Sequence, residues 1–501
     1  MKMYPDKTPE EIRGNPLQSI LFGHRIQPGQ TKYEYLIEFL QVAIADKKWK
    51  KSDRTFSPET MFPIEDAPDG KFVYSPHTGI ALKRFIFFPK SKLDSKARVD
   101  EEAYRALICE LEKKINSRTP AEKKNCVEII QNLLSGFCAV NQNRSWFDQN
   151  VLPICPEVIL PESLGEKKAR QKLTFDTDNP AVDNDFEYHK YTYMCRGGEV
   201  YYLHLLNALV EYPDYRKELE ERIRKMLDSF PAFSSLCGFI KNTWNSYYTA
   251  SDSPKAVEKD FGWIPMSFSE RNYYTLSELK NFMSSKSHPF EKMETMSSGI
   301  ILQIMRMMYI AASTDTEKIL WVIDVNCQGH ENNEVKKCAI SYFRKNEEII
   351  RTYLNNGLAE YRDILKKEDD RKIIENAADD SYRLFRKLGK MIGIIIPLTG
   401  SGMRFTLSEK IIKFLVLAII PPKGMITLDK FVEELYEHFG MVIGSEQCKD
   451  LPSIGDASFM SENLRAFAQK LKDCGFLRDL SDATSIVENP YDYEEVSVCK
   501  N

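Results

Sequence analysis

The pattern of apolar and polar positions is most regular in the last hundred residues of this 501-residue chain. Thr406 and Glu409 have the spacing of a capping box, which predicts a helix over the apolar run 411–420. Two prolines follow that run and are expected to end the helix. A second amphipathic helix is predicted over 427–440, where it ends at a glycine.

Three further segments complete the order of elements in this part of the chain. A short β-like segment at 441–443 is followed by a third predicted helix at 461–474. Residues 476–478 and 484–487 flank a polar turn and are predicted to pair as a hairpin. Three helices followed by a hairpin are typical of a winged helix, so we predict a winged-helix-like domain over 401–490. Such modules dock on nucleic acid or on other proteins rather than perform chemistry.

The first part of the chain, residues 1–160, is predicted to be a small α+β domain. Its elements are a helix at 31–48, strands at 71–74 and 80–88, and helices at about 100–117 and 121–140. Residues 161–186 are polar and aperiodic, which predicts a linker or an exposed loop.

Helical periodicity returns over residues 187–400 and predicts a helical domain. Its long charged run from 333 to 391 is expected to break at 355–357, where two asparagines precede a glycine. An acidic tail occupies 491–501. The predicted fold class is therefore mainly α and multidomain, with a small α+β N-terminal region, a helical middle and a C-terminal winged-helix-like domain.

Composition and net charge limit the kinds of protein that this chain is expected to be. Hydrophobic residues make up 43% of the chain and the net charge is −4, so a folded protein is expected and global charge does not recruit it to DNA. Eleven cysteines occur without any C-x-x-C pair, which is typical of a reduced, cytoplasmic chain. The N-terminus has no apolar segment typical of a secretory signal, and the longest apolar stretches are too short or interrupted to span a bilayer. We therefore expect no membrane partner.

Candidate chemistry is sparse. The chain has no G-x-x-x-x-G-K-[ST] string, so no nucleotide site is predicted, and no cofactor is expected. Cys327, His330 and Cys338 supply three metal-ligand types without a clear fourth, which favours an ordinary cysteine and a loop histidine over zinc. We accordingly predict neither a metal site nor a catalytic residue.

A diverged nuclease remains the alternative. It would need acidic side chains and a lysine to hold a divalent metal ion. Glu65, Asp66, Asp69 and Lys71 are of the right types, but their proline- and glycine-bearing segment is also typical of an exposed turn. The region around 320–340 is the second place where such a site is considered.

The string from Tyr193 to His204 is the most unusual in the middle of the chain. Two glycines allow close backbone approach at a predicted helix start, where Arg196 and Glu199 lie. The spacing of Glu199 and His204 spells no catalytic set. We predict that Arg196, Glu199 and His204 contact a partner, against the simpler interpretation of a helix N-terminus with packed aromatic residues.

Basic residues cluster just before the terminal domain. At helical spacing Arg383, Arg386, Lys387 and Lys390 share one face, and Arg404 follows closely. Such a stripe suits phosphate binding, although it is also typical of the solvated face of an amphipathic helix.

The terminal domain adds Arg465, Lys470 and Arg478 as candidate DNA contacts, and Asn463 has a side chain suited to a groove. Residues 401–501 nevertheless carry 11 basic and 16 acidic side chains, a net charge of 11 − 16 = −5. DNA-binding domains usually show the opposite balance, so protein docking is slightly favoured over DNA binding.

Three groups of strings resemble a known class of protein. They are FGHRIQPGQTKYEYLIEFL, RGGEVYYLHLLNAL and the series RLFRKLGKMIGIIIP, RFTLSEKIIKFLVLAIIPP and LYEHFGMVIG. Together they resemble uncharacterised subunits encoded in bacterial anti-phage defence clusters, the methylation-associated defence system in particular. The resemblance implies a cytoplasmic subunit of a multi-protein machine, with other defence subunits as partners, and it assigns no catalytic residues.

The sequence thus predicts a non-catalytic adaptor or a DNA-sensing subunit of a defence complex. Double-stranded DNA is a further candidate partner. The alternative is an effector nuclease with a diverged metal-dependent active site.

Overall fold

The protein is mostly helical, with small sheets of two or three strands. The computed structural model describes residues 1–26, 29–50, 55–57, 59–64, 72–76, 80–91, 98–139, 146, 149–159, 196–247, 258–314, 319–326, 334–365, 368–451, 458–481 and 484–495. The predicted linker at 161–186 lies outside these residues.

The helices of the described residues, in chain order, are Pro9–Ile12 (α1), Leu17–Phe22 (α2), Lys32–Ile44 (α3), Ile80–Phe87 (α4), Arg98–Lys114 (α5), Pro120–Ser135 (α6), Gly197–Glu211 (α7), Arg216–Leu227 (α8), Pro231–Tyr247 (α9), Asn272–Ser284 (α10), Pro289–Ala312 (α11), Glu334–Tyr361 (α12), Asp370–Arg383 (α13), Gly389–Ile392 (α14), Glu409–Ile419 (α15), Leu428–Phe439 (α16) and Met460–Asp473 (α17). A π-helical turn, Leu384–Leu388, joins α13 to α14.

The strands are Met3–Tyr4 (β1), Asp46–Trp49 (β2), Phe72–Ser75 (β3), Lys259–Asp260 (β4), Ile264–Pro265 (β5), Trp321–Val322 (β6), Ile395–Ile396 (β7), Arg404–Phe405 (β8), Met425–Thr427 (β9), Met441–Val442 (β10), Leu477–Ser481 (β11) and Thr484–Glu488 (β12). The antiparallel pairs are β1 with β5, β2 with β3, β3 with β4, β7 with β8, β11 with β12, and β12 with β9. Strands β6 and β10 pair in parallel.

These pairings join distant parts of the chain. The N-terminal β1 pairs with β5, and β4 adds the third strand to β2 and β3, so strands of the first 160 residues pair with strands of the helical middle. One cluster of buried apolar side chains extends from Met3 to Val487. Burial of this apolar surface is the main favourable contribution to folding.

The terminal module consists of α15, α16, α17 and the sheet with strand order β11-β12-β9. Helix α15 ends just before the two prolines, and α16 has Thr427 as its N-cap and Gly440, with a φ of 68°, as its C-cap. The predicted terminal hairpin forms, as β11 and β12. The predicted boundaries of these elements are confirmed to within a few residues.

The first helix of the module begins two residues later than the capping box predicts. Ser408 is the N-cap, and its Oγ accepts a hydrogen bond of 3.4 Å from the Ile411 N–H. Thr406 instead donates its N–H to the Ile394 carbonyl, because the chain continues the β7–β8 pairing at this point. Tertiary pairing of the backbone therefore overrides a favourable local capping pattern.

The prediction of a strand at 80–88 is wrong, because residues 80–87 form helix α4. Leu82, Phe85 and Ile86 are buried, as the spacing of a helical face requires. A continuous apolar run carries no alternation, so a buried helix and a buried strand look alike in it.

The predicted helix break at 355–357 is also wrong. Helix α12 runs through to Tyr361, and a turn follows at 362–364. A Cβ on Gly357 would lie under 3.0 Å from Leu21, so this glycine allows α12 to pack closely on α2. The glycine marks a close approach of two helices rather than a turn.

Candidate functional site

A cleft of about 370 Å³ opens where helix α7 begins, at the string whose Arg196 and Glu199 are predicted to contact a partner. Glu38 on α3 caps this helix, because its carboxylate accepts hydrogen bonds from the Gly198 N–H at 2.6 Å and the Arg196 N–H at 3.2 Å. An anion is favourable at this position, because the helix dipole is positive at the N-terminus. Arg196 has a φ of 68°, a left-handed conformation that is uncommon for a residue with a side chain.

Glu199 is the second carboxylate of the cleft and is also buried. Its oxygens accept hydrogen bonds from the Gly262 N–H at 2.6 Å and the Tyr74 hydroxyl at 2.7 Å. The guanidinium of Arg196 lies 5.8 Å from the ring centre of Trp263. Both carboxylates of the cleft therefore hold backbone or hydroxyl donors in place.

His204, the third residue of this prediction, is fully buried and lies one turn further along α7. Its Nε2 lies 2.9 Å from the Thr275 hydroxyl oxygen. Burial and the charge of Arg271 lower the pKa of His204 to about 3, so the ring is neutral at physiological pH. The side chain is not accessible to a partner in this structure. Contact by Arg196 and Glu199 stays a prediction.

Titration at the cleft is governed by burial. Burial and the neighbouring charge of Glu199 raise the pKa of Glu38 from 4.5 to about 7, against the opposing effect of the two backbone donors. Burial lowers the pKa of Lys259 to about 8 and that of His24 to about 4. His24 also has a buried Nε2 with no hydrogen-bond partner among the described residues. Sequence reasoning missed Glu38, Tyr74 and Lys259, because only tertiary contacts bring them to α7.

The raised pKa of Glu38 predicts a pH-dependent contribution to stability. The stabilising contribution is complete below about pH 4.5 and is lost as pH rises through about 7, because the folded state then carries a buried charge. As pH rises over this range, we expect the free energy of unfolding of the unmodified protein to decrease relative to that of the Glu38→Gln variant. The difference between the two should change by at most ~1.4 kcal/mol per pH unit. Urea unfolding of both proteins between pH 5 and pH 8 (roughly the range of the shift) measures this difference, and parallel stability curves would contradict it.

The basic stripe before the terminal module is largely paired within the protein. Arg383 forms an ion pair with Asp380, and Arg386 donates to both oxygens of Glu347 on α12, at 2.7 and 2.8 Å. Leu384 and Leu388 are buried, so the predicted amphipathic pattern is present, with a π-helical turn in it.

The remaining residues of that stripe differ in exposure. Lys387 is exposed, and Lys390 donates to the Leu398 carbonyl at 3.1 Å. Arg404 is buried, and its Nε lies 2.5 Å from the Asp324 carboxylate. A phosphate would have to displace Asp324 to reach Arg404. DNA binding by these residues stays a prediction.

The third helix of the module, α17, presents Arg465 to solvent and leaves Lys470 half-buried. Asn463 is buried, contrary to its expected place in a groove. Its side chain donates to the carbonyls of Ile323 and Ile443 and accepts from the Val325 N–H, at 2.9 to 3.0 Å. These three bonds tie α17 to the segments that contain β6 and β10.

The charges of the hairpin β11–β12 are paired within the hairpin or with α17. Arg478 lies 3.0 Å from Glu488, and Lys472 lies 2.8 Å from Asp479. The same three-stranded sheet exposes apolar side chains, since Leu480 and Met425 are each 60% exposed. The surface of the sheet thus combines satisfied charges with accessible apolar groups.

The terminal module is the part of the chain that a comparison with known proteins identifies. Residues 400–491 match the family model of methylation-associated defense system protein MAD7. The match confirms the predicted resemblance to defence-system proteins over this segment, which we call the MAD7-matching segment. No curated protein and no solved structure matches the chain.

A buried polar cluster fixes the MAD7-matching segment to the helical middle. Glu278 on α10 accepts two hydrogen bonds from Arg271, at 2.8 and 2.9 Å, and one from Gln303 at 2.7 Å. The Nδ1 of His438, on α16, lies 2.8 Å from the same carboxylate, and Arg271 also donates to the His438 carbonyl. One fully buried carboxylate therefore joins α10, α11 and α16.

The residues considered for metal binding lie largely outside the part of the chain that the structure describes. Cys327 and His330 are among them, as are Glu65, Asp66, Asp69 and Lys71. Within the described residues, no group of three or more potential ligand residues could hold a metal ion. Nor is any helix in the described ranges long and apolar enough to cross a membrane.

Proposed function

We propose that the protein is a non-catalytic docking subunit of a methylation-associated defence system, and that its terminal module is a winged helix. The match of residues 400–491 supports the defence role. The order of three helices and a sheet in which β12 lies between β11 and β9 supports the winged-helix assignment. The partner of this module is another protein of the same system.

The surface of the hairpin supports a protein partner rather than DNA. Its basic side chain, Arg478, pairs with Glu488, and its acidic Asp479 pairs with Lys472 of α17. A DNA-binding wing would instead leave positive charge for phosphates. Exposed Leu480 and Met425 supply apolar area of the kind that anchors a protein interface.

The buried carboxylates support a non-catalytic role. Glu38 and Glu199 are the paired acids of the cleft at α7, and both accept hydrogen bonds from the protein itself. A general acid or base needs an oxygen within reach of a substrate proton. Here those oxygens hold a helix start and a loop, which is a structural task.

The proposal predicts loss of partner capture when the apolar surface is made acidic. The tagged protein, co-expressed with the other proteins of its defence system, should co-purify with at least one of them, identified by mass spectrometry. The double variant Leu480→Asp and Met425→Asp should reduce that capture at least about tenfold, because burying the new charges at an interface is costly. Folding should be unaffected, since both side chains are exposed.

Leu398→Asp is the matched control, because Leu398 is at least as exposed but precedes the MAD7-matching segment. Equal capture by the protein and the double variant would contradict docking through the sheet. Cleavage of a plasmid in Mg²⁺ or Mn²⁺ that one carboxylate substitution abolishes would overturn the non-catalytic assignment.

A further inference from the structure

Helix α12 carries a row of basic side chains that the sequence patterns did not single out. Lys337, Arg344 and Arg351 are spaced seven residues apart and are all exposed. Seven residues are nearly two helical turns, so the three side chains share one face. Successive members are therefore about 10.5 Å apart along the axis at ~1.5 Å per residue.

None of these three side chains is engaged in a hydrogen bond or ion pair among the described residues. Arg386 offers the contrast, because the neighbouring Glu347 of α12 compensates its charge. Exposed cations without an ion pair among the described residues are thus found on α12, whereas Arg383 and Arg386 of the stripe at 383–390 are paired.

The face also borders an open groove of about 610 Å³. Lys337 and Arg344 line it, and Ser341 and Thr352 add hydroxyl groups that can donate to phosphate oxygens. Glu348 is the acidic residue of this lining. Isoleucines are the apolar lining residues, and no aromatic side chain is present there to anchor a protein partner.

The spacing suits a nucleic-acid duplex. Phosphates of one DNA strand follow one another at about 3.4 Å along the axis, so ~10.5 Å corresponds to about three base-pair steps. The major groove is about 12 Å wide, so a helix lying across it would also place successive cations near opposite phosphate rows. The strands wind around the duplex axis, so a straight row of this length reaches phosphates of both strands across a groove rather than following one strand, and such contacts require no base readout.

We propose that this face of α12, formed by Lys337, Arg344 and Arg351, binds the phosphate backbone of double-stranded DNA without sequence preference. This function is additional to protein docking through the terminal module and does not depend on it. Three neutralised phosphates imply that the logarithm of the binding constant falls with the logarithm of salt concentration with a slope of about −2.7.

Fluorescence anisotropy of a labelled duplex of roughly 20 base pairs tests the proposal across a salt series of roughly 50 to 200 mM. Each single alanine substitution, Lys337→Ala, Arg344→Ala or Arg351→Ala, should make the slope shallower by about 0.9. The triple alanine variant should lose measurable binding. Its circular dichroism and melting temperature should stay unchanged, because the three side chains are exposed and unpaired among the described residues.

Arg371→Ala and Arg105→Ala are matched controls, since both residues are exposed on other helices and pair with nearby glutamates. They should leave affinity and slope unchanged. Failure of the protein to bind the duplex at low salt, or wild-type binding by the triple variant, would overturn the proposal.

Two further outcomes separate this surface from the terminal module. The Leu480→Asp and Met425→Asp variant should keep its duplex affinity, and loss of that affinity would place the DNA contact on the module instead. If the triple variant lost capture of a defence protein but kept duplex binding, the face would be a protein interface and the DNA assignment would be wrong.

Discussion

Replacing Glu278 by glutamine is expected to destabilise the protein by about 3–5 kcal/mol, the usual cost of leaving a buried charge without its partner. Arg271 is 1% exposed and Glu278 is fully buried, so solvent does not compensate the lost carboxylate. The same substitution weakens the contacts of Gln303 and His438, which also bind this carboxylate. Because His438 belongs to the MAD7-matching segment, that segment should loosen from the helical middle first.

Chemical unfolding measures the total loss, and hydrogen exchange of the α16 amides measures the local one. The control is Glu101→Gln, which removes a surface ion pair with Arg105 and should cost less than about 1 kcal/mol. A Glu278→Gln variant as stable as this control would show that the cluster contributes little to the attachment of the segment.

Gly198→Ala should cost at least about 3 kcal/mol, because overpacking against backbone forces the helices apart. A Cβ at this position would lie under 3.0 Å from the Phe39 nitrogen and the Tyr35 carbonyl oxygen. Both atoms belong to α3, which crosses α7 here, and backbone cannot rotate away as a flexible side chain can. The change would also disturb the capping bond from the Gly198 N–H to Glu38.

Gly238→Ala is the matched control for this prediction. Gly238 lies within α9, and among the described residues no atom beyond its own helix would lie within 4 Å of an added Cβ. Alanine should therefore stabilise the protein by up to about 1 kcal/mol through helix propensity. Thermal unfolding of both variants checks the pair, and equal shifts in melting temperature would contradict the close crossing of α3 and α7.

The terminal module was predictable because its boundaries rest on local chemistry. The two prolines after Ile420, Thr427 as an N-cap and Gly440 as a left-handed C-cap act on their immediate neighbours, so sequence alone locates the helix ends. The strand predicted at 80–88 failed for the opposite reason. Whether an apolar run becomes a helix depends on the surface that covers it, which lies elsewhere in the chain.

In the candidate sites, too, local features were predictable from the sequence, whereas tertiary contacts were not. Glycines and charges at 196–199 mark a helix start in the sequence, but Glu38, which caps it, is about 160 residues away. The basic residues at 383–390 were visible as a pattern, whereas the pairing of Arg386 with Glu347, 39 residues away in the chain, depends on the tertiary fold. A seven-residue spacing of cations was present on α12 and could have been found by testing each predicted helix for unpaired charge.

The central claim is that the terminal module docks on a partner protein of the defence system. Hydrogen–deuterium exchange of the full chain, with and without the captured partner, tests it most directly. The account predicts that partner binding slows exchange in β9, β11 and β12, the sheet that exposes Met425 and Leu480. Protection confined to regions outside residues 400–491, with the sheet unchanged, would contradict it.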